Sequence, residues 1–266
     1  MIIDGRAIAQ DILARAKART EKLMRPPLVV ALVASDTPAT RLYLAIKQKK
    51  AADTGCFFEA RALGANVDDA DAVIVQLPVP DGVNQRDVCD AIPVSKDADV
   101  LSSAARTKFE QGDEEALLPP VVGAVAEIFQ KYGVVQKGKR ATVIGAGFLV
   151  GAPVATWLKQ QGADVRVLTI ETNLEDFTAA LRAADIIVSG AGFPNLIKPN
   201  MLKQGLALID AGTSESSGVV VGDADPACAE KCSIFTPVPG GVGPLAVACL
   251  FENVVTLTER ANRPDL

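Results

Sequence analysis

Apolar residues in the first part of the chain follow two patterns, one with a helical period and one as a continuous run. Between residues 4 and 24, Ile8, Ile12 and Ala16 fall four positions apart, which predicts an amphipathic helix. The segment PLVVALVAS at 27 to 35 is almost wholly apolar and predicts a buried strand. A helix followed by a strand is therefore expected here.

The next segments repeat this alternation. Thr37 is a suitable N-cap with Pro38 at the first helical position, and the helix they begin is predicted to end at Gly55. FFEARAL at 57 to 63 and DAVIVQLPV at 71 to 79 are predicted strands. Helices between apolar runs of this kind indicate an α/β domain.

The second half of the chain shows the alternation of strands and helices more clearly. Residues 140 to 172 predict a strand, a glycine turn, a helix and a second strand, and AADIIVSGAG and QGLALIDAG supply two more buried strands. This order predicts a Rossmann-like, doubly wound parallel sheet whose ligands lie at the carboxyl ends of the strands. The boundary between the two halves is expected near LLPPVVG, at 117 to 123.

The composition of the chain limits the kinds of molecule that it can be expected to bind. The chain has 266 residues, 49% of them hydrophobic, and a formal net charge of -5. An acidic chain has no general attraction to nucleic acid or to an anionic membrane. The first 20 residues lack the pattern of a signal peptide, and no apolar run approaches the length of about 18 residues that spans a membrane. A cytoplasmic protein that binds neither nucleic acid nor membrane is expected.

The cysteine and histidine content limits the chemistry. The five cysteines are odd in number and scattered, which favours reduced thiols. Cys228 and Cys232 are spaced like metal ligands but lack a second pair, so we expect no metal site. The chain has no histidine, which excludes Ser-His-Asp and Cys-His nucleophiles. Proton transfer must use Lys, Tyr, Asp, Glu or water.

The turn VIGAGFLVG at 143 to 151 is a candidate phosphate site. Gly145 and Gly147 follow an apolar strand and precede a helix, where main-chain N–H groups can face a phosphate. Glu171 ends the next strand, as does the acidic residue that binds an adenosine ribose. The spacing G-x-G-x3-G differs from the standard one, and a simple tight connection is the alternative.

A second constellation lies on the helix that begins at Thr37. Tyr43 and Lys47 are four residues apart, so both lie on one helix face. Gln76 ends a buried strand, and Asp99 lies in the loop KDADV. These groups could converge on a polar heterocycle; the alternative is that Tyr43 packs on the sheet while Lys47 extends into solvent.

Several motifs, taken in order, resemble one family. They are Y-x3-K, VQLPVP, KDAD, VIG-x3-LVG-x-PVA, ADIIVSGAG, ALIDAG, VGDAD and TPVPGGVGPLAVACLFENVV. The same order is found in bifunctional methylenetetrahydrofolate dehydrogenase/cyclohydrolase, and it covers almost the whole chain. The resemblance implies a homodimer that oxidises 5,10-methylenetetrahydrofolate with NADP or NAD and hydrolyses the methenyl product to 10-formyltetrahydrofolate.

The resemblance also implies a domain organisation. Residues 1 to 118 together with 247 to 266 would form the folate-binding domain, and 119 to 246 the NAD(P)-binding domain, with a cleft between the two. The helix at about 247 to 262 would return to the first domain.

Site residues are carried over by the same resemblance. Lys47, supported by Tyr43 and Gln76, corresponds to the catalytic lysine of the hydrolysis, and Asp99 to the pterin-binding acid, with Asp97 as the adjacent alternative. The expected substrate-binding residues are Tyr43, Gln76, Asp99, Pro239, Gly240 and Gly241. The expected cofactor-binding residues are Gly145, Ala146, Gly147, Val150, Gly151, Ile170, Glu171, Thr172, Gly240, Gly241 and Gly243.

Six of the nine residues in the loop TPVPGGVGP, at 236 to 244, are glycine or proline. Its prolines restrict the path of the chain, and its glycines remove side chains. We expect Gly240, Gly241 and Gly243 to let nicotinamide and folate approach the main chain from either side.

Departures from the family pattern change some expectations. Ala146 and Glu171 stand where the family has residues suited to a 2'-phosphate, which favours NAD over NADP. The family's P-C-T-P-x-G is replaced by PPVVGA, and Ala105 and Thr107 replace an asparagine and a glycine. The chain between Gly55 and Val73 is too short for the helix expected there. A monofunctional or catalytically silent relative, or another Rossmann oxidoreductase acting on a small acid, are the alternatives.

Overall fold

The computed structural model describes residues 1–216 and 219–262, and the chain divides into two compact units. The first unit comprises Ala9–Pro120 and the segment from Val247 onward. The second unit comprises Met1–Ile8 and Val121–Ala246. Each unit therefore contains two separate segments of the chain.

The first unit is built on a small parallel sheet with the strand order β2-β1-β3. Thr37 caps α2 by accepting a hydrogen bond from the Thr40 backbone N–H at 3.1 Å, and Pro38 is the first helical residue. The elements of this unit are α1 (Gly5–Thr20), β1 (Leu28–Val33), α2 (Pro38–Asp53), β2 (Phe57–Ala62), β3 (Ala72–Val75), α3 (Gln85–Asp90), a 3-10 helix (Val94–Lys96), α4 (Ser103–Glu110) and α8 (Val242–Ala261). The first residues of both α1 and α8 belong to the second unit.

The connection between β2 and β3 is short. Residues 63 to 71, all of them described, contain no helix, as the spacing between Gly55 and Val73 indicated. β2 is at the edge of the sheet and is largely exposed, with Phe57 at 62%.

The second unit is built on a five-stranded parallel sheet with the strand order β10-β7-β6-β4-β5. Counted along the chain from β4, this is the doubly wound order 2-1-3-4-5, and its switch point lies between β4 and β6. Its elements are α5 (Pro120–Tyr132), β4 (Arg140–Ile144), α6 (Gly151–Gln160), β5 (Asp164–Leu168), α7 (Leu174–Ala183), β6 (Ile186–Ser189), β7 (Leu206–Asp210), β8 (Ser214–Ser216), β9 (Val219–Val221), β10 (Cys232–Phe235) and 3-10 helices at Pro199–Met201 and Pro226–Lys231.

The first residues of the chain lie with the second unit, although residues 1 to 118 were predicted to form one domain. Ile3 N donates to Phe235 O at 2.8 Å, and Phe235 N donates to Met1 O at 2.9 Å. Residues 1 to 3 therefore pair with the outer edge of β10, and Met1–Ile8 groups with the second unit. The grouping differs from the prediction at these residues because the pairing joins positions more than 230 residues apart.

Helix α8 corrects the expectation that no segment could span a membrane. It has 20 residues and a mean hydropathy of 1.3 over an 18-residue window, enough for a span by length and composition. However, 56% of that window is buried within the protein. The same values are found in core helices, so α8 is weak evidence for a membrane segment.

The five cysteines are free and buried. The Cys232 thiol donates to Cys228 O at 3.1 Å, and the Cys228 thiol donates to Ile197 O at 3.4 Å. Burial raises the pKa of Cys228 to about 11 and that of Cys232 to about 12. Within residues 1–216 and 219–262, no cluster of three acidic or cysteine side chains is arranged to hold a metal ion.

Candidate functional site

Lys47 and Gln76 are in direct contact in the first unit. Lys47 lies in the third turn of α2, and Gln76 is the first residue after β3. Lys47 Nζ donates to Gln76 Oε1 at 3.0 Å, while Gln76 Nε2 donates to Leu77 O at 3.0 Å. The second bond fixes the amide so that its acceptor faces the ammonium.

Tyr43 lies one helical turn before Lys47 on the same side of α2, and 51% of it is exposed. In the described part of the chain it makes no hydrogen bond with Lys47. The expectation that Tyr43 and Gln76 together hold Lys47 is therefore corrected, because only the Gln76 contact is formed. The exposed phenol is free to contact a ligand.

The two acids of KDAD have different surroundings. Asp97 is 1% exposed, and its carboxylate accepts hydrogen bonds from Leu101 N at 3.0 Å and from Ser102 N at 2.8 Å. Both of its oxygens are thus used by the main chain. Asp99 is partly exposed and lies near enough to Lys47 for the ammonium to affect its pKa. Asp99, not Asp97, is the acid that the site can offer to a ligand.

Burial raises the pKa of Asp99 above its usual value, and the nearby Lys47 ammonium opposes that rise. Arg106, on α4, acts in the same direction as Lys47. Burial lowers the pKa of Arg106 itself, while the neighbouring carboxylates, Asp99 among them, favour its charged form. Sequence reasoning missed Arg106, because nothing in its spacing distinguishes it from an ordinary surface arginine.

The glycines of the turn after β4 have different roles. Gly145 has a φ of +88°, and its N–H donates to Leu168 O at 2.8 Å, which ties the ends of β4 and β5 together. A Cβ on Gly151 would lie 1.9 Å from Gly145 O, so packing within the protein requires that glycine. A Cβ on Gly147 would meet nothing within 4 Å. No contact within the protein therefore requires a glycine at position 147, and the space beside its Cα leaves room for a ligand.

This turn fits the pyrophosphate of a dinucleotide. Val150, at the N-cap of α6, makes no side-chain cap hydrogen bond. Ala152 N donates to Gly147 O at 3.1 Å and Pro153 has no N–H, so among the first three residues of α6 it is the Gly151 N–H that is left at the positive end of the helix dipole. The turn also lies beside the switch point of the sheet, where doubly wound folds bind their ligands.

The loop after β5 places an acidic group where a ribose is expected. Thr169 N donates to Thr172 Oγ1 at 3.0 Å, and Glu171 N donates to Thr169 Oγ1 at 3.3 Å, so a tight turn presents the residues between them. Ile170 is fully exposed, and Glu171 is exposed as well. Both lie three residues or fewer beyond Leu168, which faces the end of β4 in the strand register.

The loop at 236 to 244 is held by contacts within the second unit. Gly241 N donates to Pro237 O at 2.8 Å, and a Cβ on Gly241 would lie 2.6 Å from that oxygen. Gly5 N donates to Gly240 O at 3.0 Å, and a Cβ on Gly5 would lie 1.9 Å from Gly241 O. Gly5 is a further residue that sequence reasoning missed, because it lies in an unremarkable stretch near the N-terminus.

These contacts revise the interpretation of the loop glycines. Gly240 has a φ of +107°, which favours glycine whatever lies nearby. Gly241 is required by the loop's own packing, because its Cβ would also lie 2.8 Å from Thr236 Cβ. Only at Gly243 would a Cβ meet nothing within 4 Å, so Gly243 is the position in this loop whose missing side chain leaves open space. Pro239 follows a cis peptide bond.

Comparison with known proteins agrees with this geometry. The family models for the catalytic domain and the NAD(P)-binding domain of tetrahydrofolate dehydrogenase/cyclohydrolase match residues 3–99 and 119–262. The chain belongs to the tetrahydrofolate dehydrogenase/cyclohydrolase family. The predicted family, its two α/β domains with a Rossmann-like second domain, its enzymatic function and its NAD(P) cofactor are thereby confirmed.

Curated and solved relatives of this dehydrogenase/cyclohydrolase match along nearly the full length. Bifunctional protein FolD of Methanococcoides burtonii is 33% identical over 279 residues, covering 97% of this chain and 96% of the relative. The FolD structure from Campylobacter jejuni has a TM-score of 0.92 at 30% identity, covering 98% of this chain and 99% of the other. The FolD structure from Trypanosoma brucei, solved with NADP and an inhibitor, has a TM-score of 0.92 at 30% identity, covering 99% of both chains.

Proposed function

We propose that this dehydrogenase/cyclohydrolase oxidises 5,10-methylenetetrahydrofolate and then hydrolyses the methenyl product to 10-formyltetrahydrofolate, with Lys47 as the proton-transferring group of the hydrolysis. The proposal depends chiefly on one observation, the 3.0 Å hydrogen bond from Lys47 to Gln76 beside Asp99. Bound NAD(P)+ would supply the acceptor for the hydride that leaves the one-carbon bridge.

Lys47 is suited to the hydrolytic step. Water adds to the methenyl carbon and releases one proton to solvent, a carbon–nitrogen bond breaks, and the departing nitrogen takes up a proton. The ammonium of Lys47 can donate that proton, and the amine that remains can take one back from the water. Gln76 holds the ammonium through its carbonyl oxygen, so the nitrogen keeps its position while its protonation changes.

Substrate positioning is assigned to Asp99 and Tyr43. The carboxylate of Asp99 can accept hydrogen bonds from the N–H groups of a pterin, and the exposed ring of Tyr43 offers a flat apolar face. The oxidation needs no protein base, because the adjacent nitrogen lone pair stabilises the cation that forms. The protein's contribution to that step is therefore to orient the substrate.

We also propose that the enzyme prefers NAD to NADP. Glu171 is exposed in the turn after β5, and Arg166, on β5 itself, forms an ion pair with Asp176 at 3.3 Å. Glu175 adds a further carboxylate in the first turn of α7. A ribose hydroxyl can donate to Glu171, whereas a 2'-phosphate would meet a negative surface.

The first test compares two lysines of α2. Lys47→Met should lower the rate of methenyl hydrolysis by about a hundredfold or more, the usual contribution of a proton-transferring group. Part of the oxidation should remain, because that step needs no proton transfer. Lys49→Met, which alters an exposed lysine two residues away, is the matched control and should leave both rates close to those of the wild type.

Both activities are followed by the absorbance of the methenyl form, with NAD or NADP present for the oxidation. Equal loss of oxidation and hydrolysis in Lys47→Met would assign Lys47 to substrate binding. A wild-type protein that produces no methenyl form with either cofactor would instead be a catalytically silent relative.

We further propose a cytoplasmic homodimer, as the family resemblance implies. The formal net charge of -5 supports a location without nucleic acid or anionic membrane as partner. Sedimentation analysis of the purified protein gives its mass in solution. A mass of one chain, 27.8 kDa, would contradict the dimer.

A further inference from the structure

Two buried carboxylates at the carboxyl edge of the five-stranded sheet have no role in the function proposed above. Asp210 ends β7 and is 1% exposed, and Asp223 follows β9 and is 0% exposed. An ionised carboxylate in the interior is costly unless several donors satisfy it. Its donors therefore show what each carboxylate holds in place.

Asp223 is satisfied entirely from the end of β6. Its Oδ2 accepts hydrogen bonds from Ser189 Oγ at 2.6 Å and from Ala191 N at 2.8 Å, and its Oδ1 accepts one from Phe193 N at 2.8 Å. All three donors belong to a stretch of five residues, 189 to 193. One side chain thus fixes the main chain of the whole loop that follows β6.

This loop lies at the switch point of the sheet, against the glycine turn. A Cβ on Gly145 would lie 2.9 Å from Gly190 O, and a Cβ on Gly190 would lie 2.4 Å from a methyl carbon of Val150. The main chain of the loop therefore contacts both ends of the turn between β4 and α6. A displacement of the loop would therefore shift its main chain relative to the glycine turn.

The outer side of the loop is open. Ala191 and Phe193, which carry the apolar side chains of this loop, are both exposed, Phe193 at 62%. Hydrophobic packing thus contributes little to the position of the loop, which is fixed by its hydrogen bonds to Asp223. The carboxyl group is itself held flat against Gly212, where a Cβ would lie 2.2 Å from it.

We infer that Asp223 is a positioning residue for the dinucleotide: it holds the main chain at 190 to 193 as the wall of the cofactor crevice opposite the glycine turn. The inference depends on the proposed function only in taking the switch point as the place where NAD(P) binds. Asp223 itself is buried and does not contact the cofactor.

Asp223→Asn separates this role from simple packing, because it keeps the shape of the side chain and removes one acceptor oxygen. The N–H₂ group of the new amide must then face either Phe193 N or the pair formed by Ser189 and Ala191. A main-chain N–H that faces this N–H₂ group loses its hydrogen bond, because both groups are donors. One end of the loop is released in either orientation. The matched control is Asp225→Asn, which changes a half-exposed acid two residues away that pairs with Lys198.

The experiment uses the full-length protein and three measurements. NADH affinity is measured by calorimetry, amide hydrogen exchange at 190 to 193 is measured without cofactor, and methenyl hydrolysis is measured as an internal control, because its residues lie in the first unit. Asp223→Asn should weaken NADH binding about tenfold or more and speed exchange at Ala191 and Phe193. Its hydrolysis rate should stay within about twofold of the wild type, and Asp225→Asn should change none of the three.

Unchanged NADH affinity in folded Asp223→Asn would overturn the inference, as would an equal loss of hydrolysis, which indicates a general structural role. If Asp223→Asn does not fold, Ser189→Ala takes its place, because it removes one of the donors to Asp223. Ser189→Ala should weaken NADH binding and speed amide exchange at Ala191. Unchanged NADH affinity in this variant would reject the inference. Failure of the wild type to bind NADH would contradict the proposed function instead.

Discussion

Val100 has a φ of 56° and is 1% exposed, a combination that is uncommon for a β-branched residue. Its position follows from Asp97, whose carboxylate holds the two main-chain N–H groups just beyond it, at Leu101 and Ser102. The turn that results places Asp99 in reach of the Lys47 charge. Backbone strain of this kind is often found at functional sites, and here it lies next to the acid that is proposed to bind the substrate.

The sequence could not distinguish the two acids of this turn. KDAD predicts a polar loop and offers two carboxylates whose spacings from Lys47 and Gln76 differ by only two residues. Which of them faces the site depends on a main-chain path that the carboxylate of Asp97 itself stabilises. Resemblance to the family favoured Asp99, which stays a prediction; the structure shows that main-chain N–H groups occupy the oxygens of Asp97.

At the same scale, Glu171 provides the test of cofactor choice. Glu171→Arg should shift the ratio of kcat/KM for NAD to that for NADP toward NADP by about tenfold or more, because a cation replaces a carboxylate at the expected 2'-position. Glu230→Arg, which makes the same charge change at another exposed residue, is the control and should leave the ratio unchanged. An equal ratio in both variants would mean that Glu171 does not face the ribose.

Among the elements, the connection from β4 to α6 combines structural and ligand-facing glycines. The pattern of apolar strand, glycine turn and helix predicted the element correctly. It could not show that Gly151 closes on Gly145 whereas Gly147 faces open space, because that difference depends on three-dimensional packing. The same applies to Gly5, whose partners lie more than 230 residues further along the chain.

A pair of alanine variants separates the two kinds of glycine. Gly151→Ala should lower the free energy of unfolding by about 2 kcal/mol or more, because its Cβ would overlap the Gly145 carbonyl. Gly147→Ala should change stability by less than about 1 kcal/mol yet weaken NADH binding. Thermal unfolding and NADH titration of both variants measure these effects. Equal NADH affinity in Gly147→Ala and the wild type would contradict the ligand-facing role.

For the whole molecule, the buried acid Asp210 predicts how stability depends on pH. Burial, and then the charge of Asp223, raises the pKa of Asp210 to about 6 from an ordinary 3.8. The folded state therefore binds this proton more tightly than the unfolded state. The stabilisation is complete below about pH 4 and is lost as the pH rises through about 6, a change of about 2 to 3 kcal/mol.

Urea unfolding of the wild type and of Asp210→Asn between pH 4.5 and 7 tests this prediction. The single tryptophan, Trp157 on α6, reports on the same unit. The wild type should be the more stable of the two at low pH, since the amide cannot accept from both Gly212 N and Ala224 N. That advantage should shrink as the pH rises; a constant difference would show that Asp210 does not titrate in this range.

The division of the chain into interleaved segments has a consequence for its synthesis. On the ribosome, Met1–Ile8 emerges more than a hundred residues before the sheet that it extends. The segment Ala9–Pro120 is likewise made long before the residues from Val247 onward that complete its unit. The first unit therefore cannot be completed until the whole of the second unit has been translated, so the two units cannot mature in their order along the chain.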